Sequence, residues 1–401
     1  MPTYQADWLL PVSDEPVRRG CVTVDANRHI SAVGDDPVAA PTDLGRRAIL
    51  PALVNSHTHL ELSYLHERVP AGTTFGQWVR VLMALRRQYP DPSAPEILSA
   101  ARQAIAHARA SGTGLIGDIS NTLVTIPLLR EAAMPAHVFH ELLGFNVPDP
   151  AARVEGARAA VTETGADASD VRVTLAAHAP YSVSPAMFRA IRAAVDEHAH
   201  PLTTVHLGES TEEIEFLKHG TGSFRALLEE LGVWAPDWAA PATSPVVYLS
   251  DLGFLDRCAL VVHGVQFDGD DLSRLAALGA TVVSCPRSNV HVGVGSPPLE
   301  AFYAMDVDVA FGTDSLASAA DLNLFSELKE ARRIAPRVPA RRLIESATLS
   351  GARALGFGDD LGSVEVGKRA ALIAVRIPDG VDDVEEYLVS GIEPDDVMWL
   401  D

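Results

Sequence analysis

The stretch Pro51-Ala-Leu-Val-Asn-Ser-His57-Thr-His59 ends an apolar run with two histidines separated by one residue. In an extended strand alternate side chains point the same way, so both imidazoles can face one point beyond the strand's end. Such a pair is half of a metal site. Short motifs also arise by chance, and a second pair, His198-Ala-His200, follows a helix-like run and is expected at a solvated helix end. The first pair therefore needs partners elsewhere in the chain.

Apolar runs of strand length recur along the chain, separated by helix-like segments such as the Ala-rich Pro95 to Ala110, which Ser111-Gly112 should stop. Counting the run before the histidines as the first, there are eight, at residues 49–54, 114–119, 137–143, 171–177, 202–205, 259–262, 280–284 and 307–311. Near-continuous apolar strands that alternate with helices indicate a parallel sheet covered on both faces. Eight such units predict an α/β fold with a closed (β/α)₈, TIM-like barrel. An open doubly wound sheet is disfavoured because no Gly-x-Gly-x-x-Gly pattern follows any run.

The two ends of the chain differ from its middle in showing short alternating strands and turn residues. Near the end, the turn-like stretch Gly362 to Lys368 precedes an apolar strand from Ala370 to Ile377. The predicted organisation is therefore a barrel over residues 51–359 and a small composite β-domain made from residues 1–50 and 360–401.

Composition narrows the classes of partner. The chain has 401 residues, 47% hydrophobic and 21% charged, as is typical of a globular protein. Its net charge of −21 argues against nucleic acid or an anionic membrane as partner and leaves a small-molecule substrate. Three distant cysteines, no signal-peptide pattern and no apolar run of membrane-spanning length predict a cytoplasmic location. The oligomeric state stays open, with a symmetric homodimer as one candidate.

Ionisable residues stand at the carboxyl ends of later apolar runs, where barrel enzymes place their chemistry. His206 directly follows the fifth run, with Glu209 three residues later; His263 directly follows the sixth, and Asp314 follows the eighth. Any one of these could be a hydrogen-bonded core residue or a turn cap. Their repetition at matching strand ends instead indicates a metal site.

His57, His59, His206 and Asp314 offer three imidazoles and a carboxylate, a set suited to one divalent ion, with Zn²⁺ preferred and Fe²⁺ as the alternative. A bound divalent ion lowers the pKa of a water towards neutrality and so supplies hydroxide. A carboxylate such as Glu209 can carry protons, and an imidazole such as His263 can hold the hydroxide by a hydrogen bond.

The fourth run is followed by His178, without a Lys or Glu at its end to bridge a second metal ion. This favours one ion over two. His178 is then a candidate substrate contact, with a core role as the alternative.

The combination His57-x-His59, His206-x-x-Glu209, His263 and Asp314 resembles the amidohydrolase superfamily, in its mononuclear, deaminase-like branch. The similarity runs from Pro51 to about Val375. The resemblance implies that the histidine pair, His206 and Asp314 hold the metal. It also implies that Glu209 passes a proton to a ring nitrogen, while His263 and Asp314 orient and deprotonate the water. The implied reaction is attack of hydroxide on an amidine-like ring carbon, followed by loss of ammonia.

Finer motifs look similar to adenosine-type deaminases, including those that act on S-adenosylhomocysteine, and more narrowly to the aminodeoxyfutalosine deaminases of menaquinone biosynthesis. The motifs are His59-Leu-Glu-Leu-Ser63, Phe75-Gly-Gln-Trp78, His178-Ala-Pro-Tyr-Ser182 and Cys285-Pro-Arg-Ser-Asn289. This resemblance implies that His178 contacts the base and that four further residues lie around the nucleoside: Trp78, Glu141, Arg287 and Ser288. A packing or surface role is the alternative for each of these four.

The sequence thus predicts a metal-dependent hydrolase of carbon–nitrogen bonds. The favoured activity is deamination of an adenine-type nucleoside, with 6-amino-6-deoxyfutalosine as substrate. One alternative is another hydrolase of the superfamily, such as a chlorohydrolase, a cytosine- or guanine-type deaminase or a cyclic amidase. The other is an inactive ligand-binding barrel, which would require the loss of a strand-end residue, and none is missing.

Overall fold

Parallel strands alternate with helices through most of the computed structural model, which describes residues 1–37, 40–71, 74–165 and 170–400. Residues 38, 39 and 401 of the predicted terminal ranges lie outside the described residues, as do 72, 73 and 166–169 of the predicted barrel.

The strands are β1 (Thr3–Gln5), β2 (Trp8–Leu9), β3 (Val17–Arg18), β4 (Cys21–Val24), β5 (Ile30–Gly34), β6 (Thr42–Asp43), β7 (Arg47–Pro51), β8 (Leu53–Thr58), β9 (Thr113–Ser120), β10 (Ala136–Leu142), β11 (Val171–Ala177), β12 (Thr203–Leu207), β13 (Ala259–His263), β14 (Thr281–Ser284), β15 (Asp308–Phe311), β16 (Leu372–Arg376) and β17 (Val397–Leu400).

The helices are α1 (Phe75–Arg86), α2 (Pro95–Ala110), α3 (Ile126–Glu131), α4 (Pro150–Glu163), α5 (Pro185–Asp196), α6 (Thr211–His219), α7 (Gly222–Glu230), α8 (Pro245–Asp251), α9 (Gly269–Leu278), α10 (Pro286–His291), α11 (Leu299–Ala304), α12 (Leu324–Ile334), α13 (Ala340–Ser346), α14 (Leu349–Ala354) and α15 (Val384–Leu388). Short 3₁₀ helices cover Leu60–Leu65 and Pro394–Asp396. Each helix of the described residues is too short or too polar to cross a membrane.

The barrel is built from two four-stranded parallel sheets, β8 to β11 and β12 to β15. At one seam the His206 amide of β12 donates to the His178 carbonyl oxygen after β11, at 2.9 Å. At the other the Asp314 amide after β15 donates to the His57 carbonyl oxygen of β8, at 3.0 Å. Gly312 permits this second approach, since a Cβ there would lie 2.7 Å from the His57 Cβ. The predicted (β/α)₈ barrel is therefore confirmed.

The predicted first strand, residues 49–54, is wrong in its bounds, because this apolar run is shared by two strands of different sheets. The Ala52 amide donates to the Ala371 carbonyl oxygen beside β16, whereas the Leu53 amide donates to the Gly112 carbonyl oxygen before β9. The chain therefore changes sheets between β7 and β8, and the barrel strand continues through His57 to Thr58. An unbroken apolar run cannot reveal this change, because both strands are buried.

Strands from both ends of the chain pair with each other. A five-stranded sheet has the order β17-β16-β7-β2-β3, in which β16 runs antiparallel to β7. A four-stranded sheet of β5, β4, β1 and β6 contains only N-terminal strands. A composite β-domain requires such pairing between strands from the two ends of the chain. The domain boundaries at residues 50/51 and 359/360 stay a prediction.

Candidate active site

Five predicted site residues meet at the carboxyl end of the barrel strands. His57 lies near the end of β8 and His59 directly after it; His206 lies in β12, His263 ends β13, and Asp314 follows β15 by three residues. All are buried except His59, which is half-buried. Because each lies within three residues of the end of an apolar strand, closing the barrel brings them together without long loops.

The possible ligand atoms of the described residues fall into three groups, two of which share His57. His57, His59 and Asp314 form one group, His57, His206 and His263 a second, and Glu141, His178 and His206 a third, with the atoms of each group within 4.8 Å of one another. Asp314 Oδ1 lies 3.8 Å from His57 Nε2 and 3.5 Å from His59 Nε2. The four predicted ligands and His263 are therefore assembled around one point.

His57 supplies the test of whether these residues fit a metal ion. Among the described residues, neither of its ring nitrogens has a hydrogen-bond partner, although the side chain is buried. An unpaired buried polar group costs about 1–3 kcal/mol. Burial and the neighbouring His206 also hold the pKa of His57 well below its usual value, so the ring is neutral. A buried, neutral imidazole with an unpaired nitrogen suits a metal ligand, and the donor set fits a divalent ion.

Backbone conformation is unusual at two of the site residues. His263 has φ 80° and Asp314 has φ 58°, in the left-handed region that non-glycine residues rarely adopt. Such conformations cost on the order of 1–3 kcal/mol and concentrate at functional sites.

Asp314 is held by three donors. The Ser288 hydroxyl donates to Oδ2 at 2.6 Å, the Ser318 hydroxyl donates to the same oxygen at 3.2 Å, and the Ser315 amide donates to Oδ1 at 2.7 Å. Burial acts to raise the pKa of Asp314, but His59 and His263 lower it below its ordinary value. Asp314 is therefore ionised and fixed in orientation. Ser288 holds this carboxylate, and its predicted contact with substrate stays a prediction.

His263 is oriented by Asn289, whose Nδ2 lies 3.0 Å from His263 Nδ1. An amide nitrogen can only donate, so Nδ1 accepts and the ring proton lies on Nε2. That Nε2 faces His206 Nδ1 at 3.0 Å and Glu209 Oε1 at 3.7 Å. Burial lowers the pKa of His263 to about 3, so its ring is neutral. His263 can thus donate one hydrogen bond towards the centre of the site.

Glu209 is 4% exposed and borders the same space. Burial, together with the charges of Asp314 and Glu213, raises the pKa of Glu209 well above its usual value. A carboxyl group in this position can hold a proton near neutral pH and exchange it with a bound molecule.

His178 and Glu141 lie on the far side of His206. Glu141 Oε1 is 3.3 Å from His206 Nε2, and the Asn121 amide group donates to Glu141 Oε2 at 2.9 Å. The charges of His178 and His206 overcome the effect of burial and lower the pKa of Glu141. His178 Nδ1 lies 2.6 Å from the Ser182 hydroxyl, and burial lowers the pKa of His178 to about 4. Of the two, His178 lines the cavity over the cluster, whereas Glu141 contacts His206 and does not line that cavity. The contact of either residue with substrate stays a prediction.

A cavity of about 340 Å³ opens over this cluster. That size is within the range of roughly 300–1,000 Å³ usual for small-molecule sites. Helix α1 forms an apolar wall of the cavity with Phe75, Trp78, Val79, Leu82 and Met83. The cavity is also lined by the ionisable residues His59, His178, His206, Glu209, His263 and Asp314. Trp78 is thus placed at the cavity, with its substrate contact a prediction.

The other α1 residues were missed by the sequence analysis. Their signal is the apolar spacing of an amphipathic segment, which shows that the helix has an apolar face but not that the face borders a cavity.

Arg287 is not among the residues that line the cavity. Its Nε donates to Glu327 Oε1 at 2.7 Å, and its Nη1 lies 2.9 Å from Asp321 Oδ1. Glu327 is fully buried, so this guanidinium neutralises a carboxylate inside the protein. The structure therefore assigns Arg287 a structural contact, and its predicted role around the nucleoside stays a prediction.

The sequence model of the Amidohydrolase family matches residues 48–392, which is most of the chain. The chain belongs to the amidohydrolase family. It is therefore a hydrolase of carbon–nitrogen bonds, as the sequence predicts.

Named relatives are similar over nearly the whole length of this amidohydrolase. It is 31% identical over 351 residues to the aminodeoxyfutalosine deaminase of Deinococcus radiodurans, covering 83% of this chain and 79% of the relative. It is 30% identical over 377 residues to the 5-methylthioadenosine/S-adenosylhomocysteine deaminase of Halobacterium salinarum, covering 90% and 81%. A solved adenosine deaminase from Xanthomonas campestris with bound zinc has a TM-score of 0.81 at 25% identity, covering 98% of this chain and 90% of that one.

The amidohydrolase thus contains a His-rich metal-binding site at the strand ends, and a solved relative of similar fold binds zinc. The second histidine pair, in contrast, lies apart from this site. His198 and His200 follow helix α5 and are half-buried and exposed, respectively.

Proposed function

We propose that this amidohydrolase is a metal-dependent deaminase of an adenine-type nucleoside. The observation that carries the proposal is the meeting of four metal-ligand candidates with Glu209 and His263, of which all but His57 line one cavity. The names of the relatives from Deinococcus radiodurans and Halobacterium salinarum, both nucleoside deaminases, support this reaction over dechlorination or amide opening.

His57, His59, His206 and Asp314 would hold the ion, for which we propose zinc, with iron as the alternative. When bound, a divalent ion lowers the pKa of water and makes hydroxide available at neutral pH.

The remaining steps use the chain's own groups. Asp314, ionised and fixed by Ser288, accepts a proton from the attacking water. His263 donates a hydrogen bond from Nε2 that orients the same water. Glu209 gives its proton to a ring nitrogen of the base, which removes negative charge as the ring carbon is attacked. The proton that Asp314 took from water then passes to the exocyclic amine, the carbon–nitrogen bond breaks, and ammonia leaves. Glu209 recovers a proton from the added hydroxyl group as the ring carbonyl forms.

Within this class, we propose 6-amino-6-deoxyfutalosine as the substrate and menaquinone biosynthesis as the setting. That nucleoside has a largely apolar side group that ends in an aromatic carboxylate. The apolar wall of α1 suits the apolar side group. Arg87, an exposed residue just beyond α1, suits the carboxylate, because it lines both the main cavity and an adjoining cavity of about 280 Å³. 5′-Methylthioadenosine lacks a charge at this end and is the competing substrate.

A panel of aminopurine nucleosides tests the proposal. The zinc-loaded protein is incubated separately with adenosine, 5′-methylthioadenosine, S-adenosylhomocysteine and 6-amino-6-deoxyfutalosine, and ammonia release is measured. We expect deamination, with the highest kcat/KM for 6-amino-6-deoxyfutalosine. A preference for 5′-methylthioadenosine would overturn the substrate proposal alone. No ammonia release from any of the four nucleosides would overturn the deaminase proposal itself.

The variant Arg87→Gln tests recognition of the distal carboxylate. We expect its KM for 6-amino-6-deoxyfutalosine to rise by about tenfold, equivalent to about 1.4 kcal/mol, because a charge-assisted hydrogen bond is lost. The KM for 5′-methylthioadenosine should stay unchanged. Arg80→Gln is the matched control, since Arg80 lies on α1 but binds Glu230 at 2.9 Å. Equal effects of Arg87→Gln on both nucleosides would contradict this role.

The remaining predictions from the sequence stay proposals. These are a small molecule as partner with no nucleic acid or membrane involved, a cytoplasmic location, and a homodimer as one candidate assembly.

A further inference from the structure

The turn after β12 carries two important residues of the site within four positions. His206 lies in the strand, and Glu209 follows the turn at Gly208. Gly208 has φ 63°, and a Cβ there would lie 2.3 Å from Phe267 Cε1. The turn is therefore a tight backbone structure that no other residue type would accommodate without rearrangement. Its conformation decides where the Glu209 carboxyl group points.

Glu213, in the first turn of α6, forms hydrogen bonds to the backbone of this turn. Its Oε1 accepts a hydrogen bond from the Gly208 amide at 2.9 Å, and its Oε2 accepts one from the Glu209 amide at 3.0 Å. The Ser210 hydroxyl in turn accepts a hydrogen bond from the Glu213 amide at 3.2 Å. The side chain of Glu213 thus binds the backbone amides of the turn that precedes its own helix.

The same turn is tied to the neighbouring strand end. The Gly264 amide donates to the Leu207 carbonyl oxygen at 3.1 Å, and the Gln266 amide donates to the Gly208 carbonyl oxygen at 2.8 Å. The segment that carries Glu209 is therefore fixed relative to His263, the residue immediately before Gly264.

Retaining a carboxylate in this place is costly. Glu213 is fully buried, and burying an ionisable group without good partners is strongly unfavourable. A glutamine would have nearly the same shape but only one acceptor oxygen, and its NH₂ group would face a backbone amide that also donates. An aspartate is one methylene shorter. A glutamate is therefore the residue that can accept a hydrogen bond from each of the two amides.

We propose that Glu213 is a positioning residue for catalysis. Its carboxylate clamps the Gly208 and Glu209 amides and so holds the Glu209 carboxyl group at the cavity and beside His263. Glu213 lines no part of the cavity itself and acts only through Glu209. The inference rests on the proposed proton-transfer role of Glu209.

The test compares Glu213→Gln with Glu212→Gln, the adjacent glutamate, which is half-buried and bonded to Thr211. Kinetics use the best nucleoside of the panel, and metal content and thermal unfolding are measured on the same samples. For Glu213→Gln we expect kcat to fall by about 100-fold, as for a misplacement of about 1 Å, with KM within about twofold and metal content retained. Glu212→Gln should match the wild type.

A double variant separates positioning from a general structural effect. Adding Glu213→Gln to Glu209→Gln should lower kcat little further, because groups that act as a unit are not additive. Full additivity of the two losses would overturn the proposal, as would a kcat within twofold of wild type for Glu213→Gln. Should Glu213→Gln fail to fold, Glu213→Asp, which keeps the charge but cannot reach both amides, carries the same expectation. An inactive wild type would instead reject the proposed function, and the clamp with it.

Discussion

Replacing Glu209 with glutamine is expected to lower kcat by about 10²- to 10⁴-fold, the usual contribution of a positioned acid or base, while metal content stays unchanged. Glutamine keeps the size and most of the hydrogen-bonding geometry of the side chain but has no transferable carboxyl proton. Burial and the nearby carboxylates of Asp314 and Glu213 raise the pKa of Glu209 well above its usual value. The wild-type group can therefore carry the proton that the base requires.

Steady-state ammonia release and elemental analysis on the same preparation measure this effect. Glu212→Gln again serves as control, because it removes a carboxylate from the same segment without touching the cavity. The KM should change little, since the loss concerns a proton that moves in the transition state. A fully active Glu209→Gln protein would remove the proton-transfer role, and an inactive protein without metal would show that Glu209 is a ligand instead.

Replacing His206 with alanine is expected to weaken metal binding by more than about 100-fold. Losing a partner one step removed from a metal ligand typically costs 10- to 100-fold, and losing a ligand should cost more. His206 belongs to the ring cluster around His57, with the two ring centroids 4.9 Å apart. The expected readouts are lower metal content after dialysis and loss of ammonia release.

Thermal unfolding gives a readout that does not depend on activity. A metal that binds the folded state raises stability by mass action, so a chelator should lower the Tm of the wild type but leave that of His206→Ala nearly unchanged. His198→Ala is the matched control because it removes a histidine from the second pair, which lies after α5. If His206→Ala kept its metal and its response to chelator, His206 would not be a ligand.

Three buried carboxylates anchor the strand-end loops that carry the site. Asp118 accepts from the Leu60 amide at 2.9 Å, just after His59. Glu213 accepts from the Glu209 amide at 3.0 Å, and Glu327 accepts from the Arg287 amide at 3.1 Å. Burial raises the pKa of each of the three to about 7. The loops that carry the site are thus fixed by buried groups that do not line the cavity.

Strand positions and the main site residues were predictable because both depend on local pattern. The strand Val171–Ala177 and the helix Pro95–Ala110 have the bounds that the sequence predicts. An apolar run specifies a buried strand, and in a barrel the residue at the run's end faces the site. Where one apolar run was shared by two strands, as at Ala52, the hydrophobic pattern did not show where one strand ended and the next began.

By itself, then, the sequence determined the barrel and the five strand-end residues, because each follows from one short segment and the symmetry of the fold. Tertiary structure alone decided how those residues are oriented. Asn289 determines which ring nitrogen of His263 carries the proton, and Glu213 binds the backbone amide of Glu209. The guanidinium of Arg287 donates a hydrogen bond to Glu327. These contacts depend on side-chain directions and on distances between separate loops. Hydrogen bonds are short and directional, so residue spacing along a chain cannot specify them until the loops are in place.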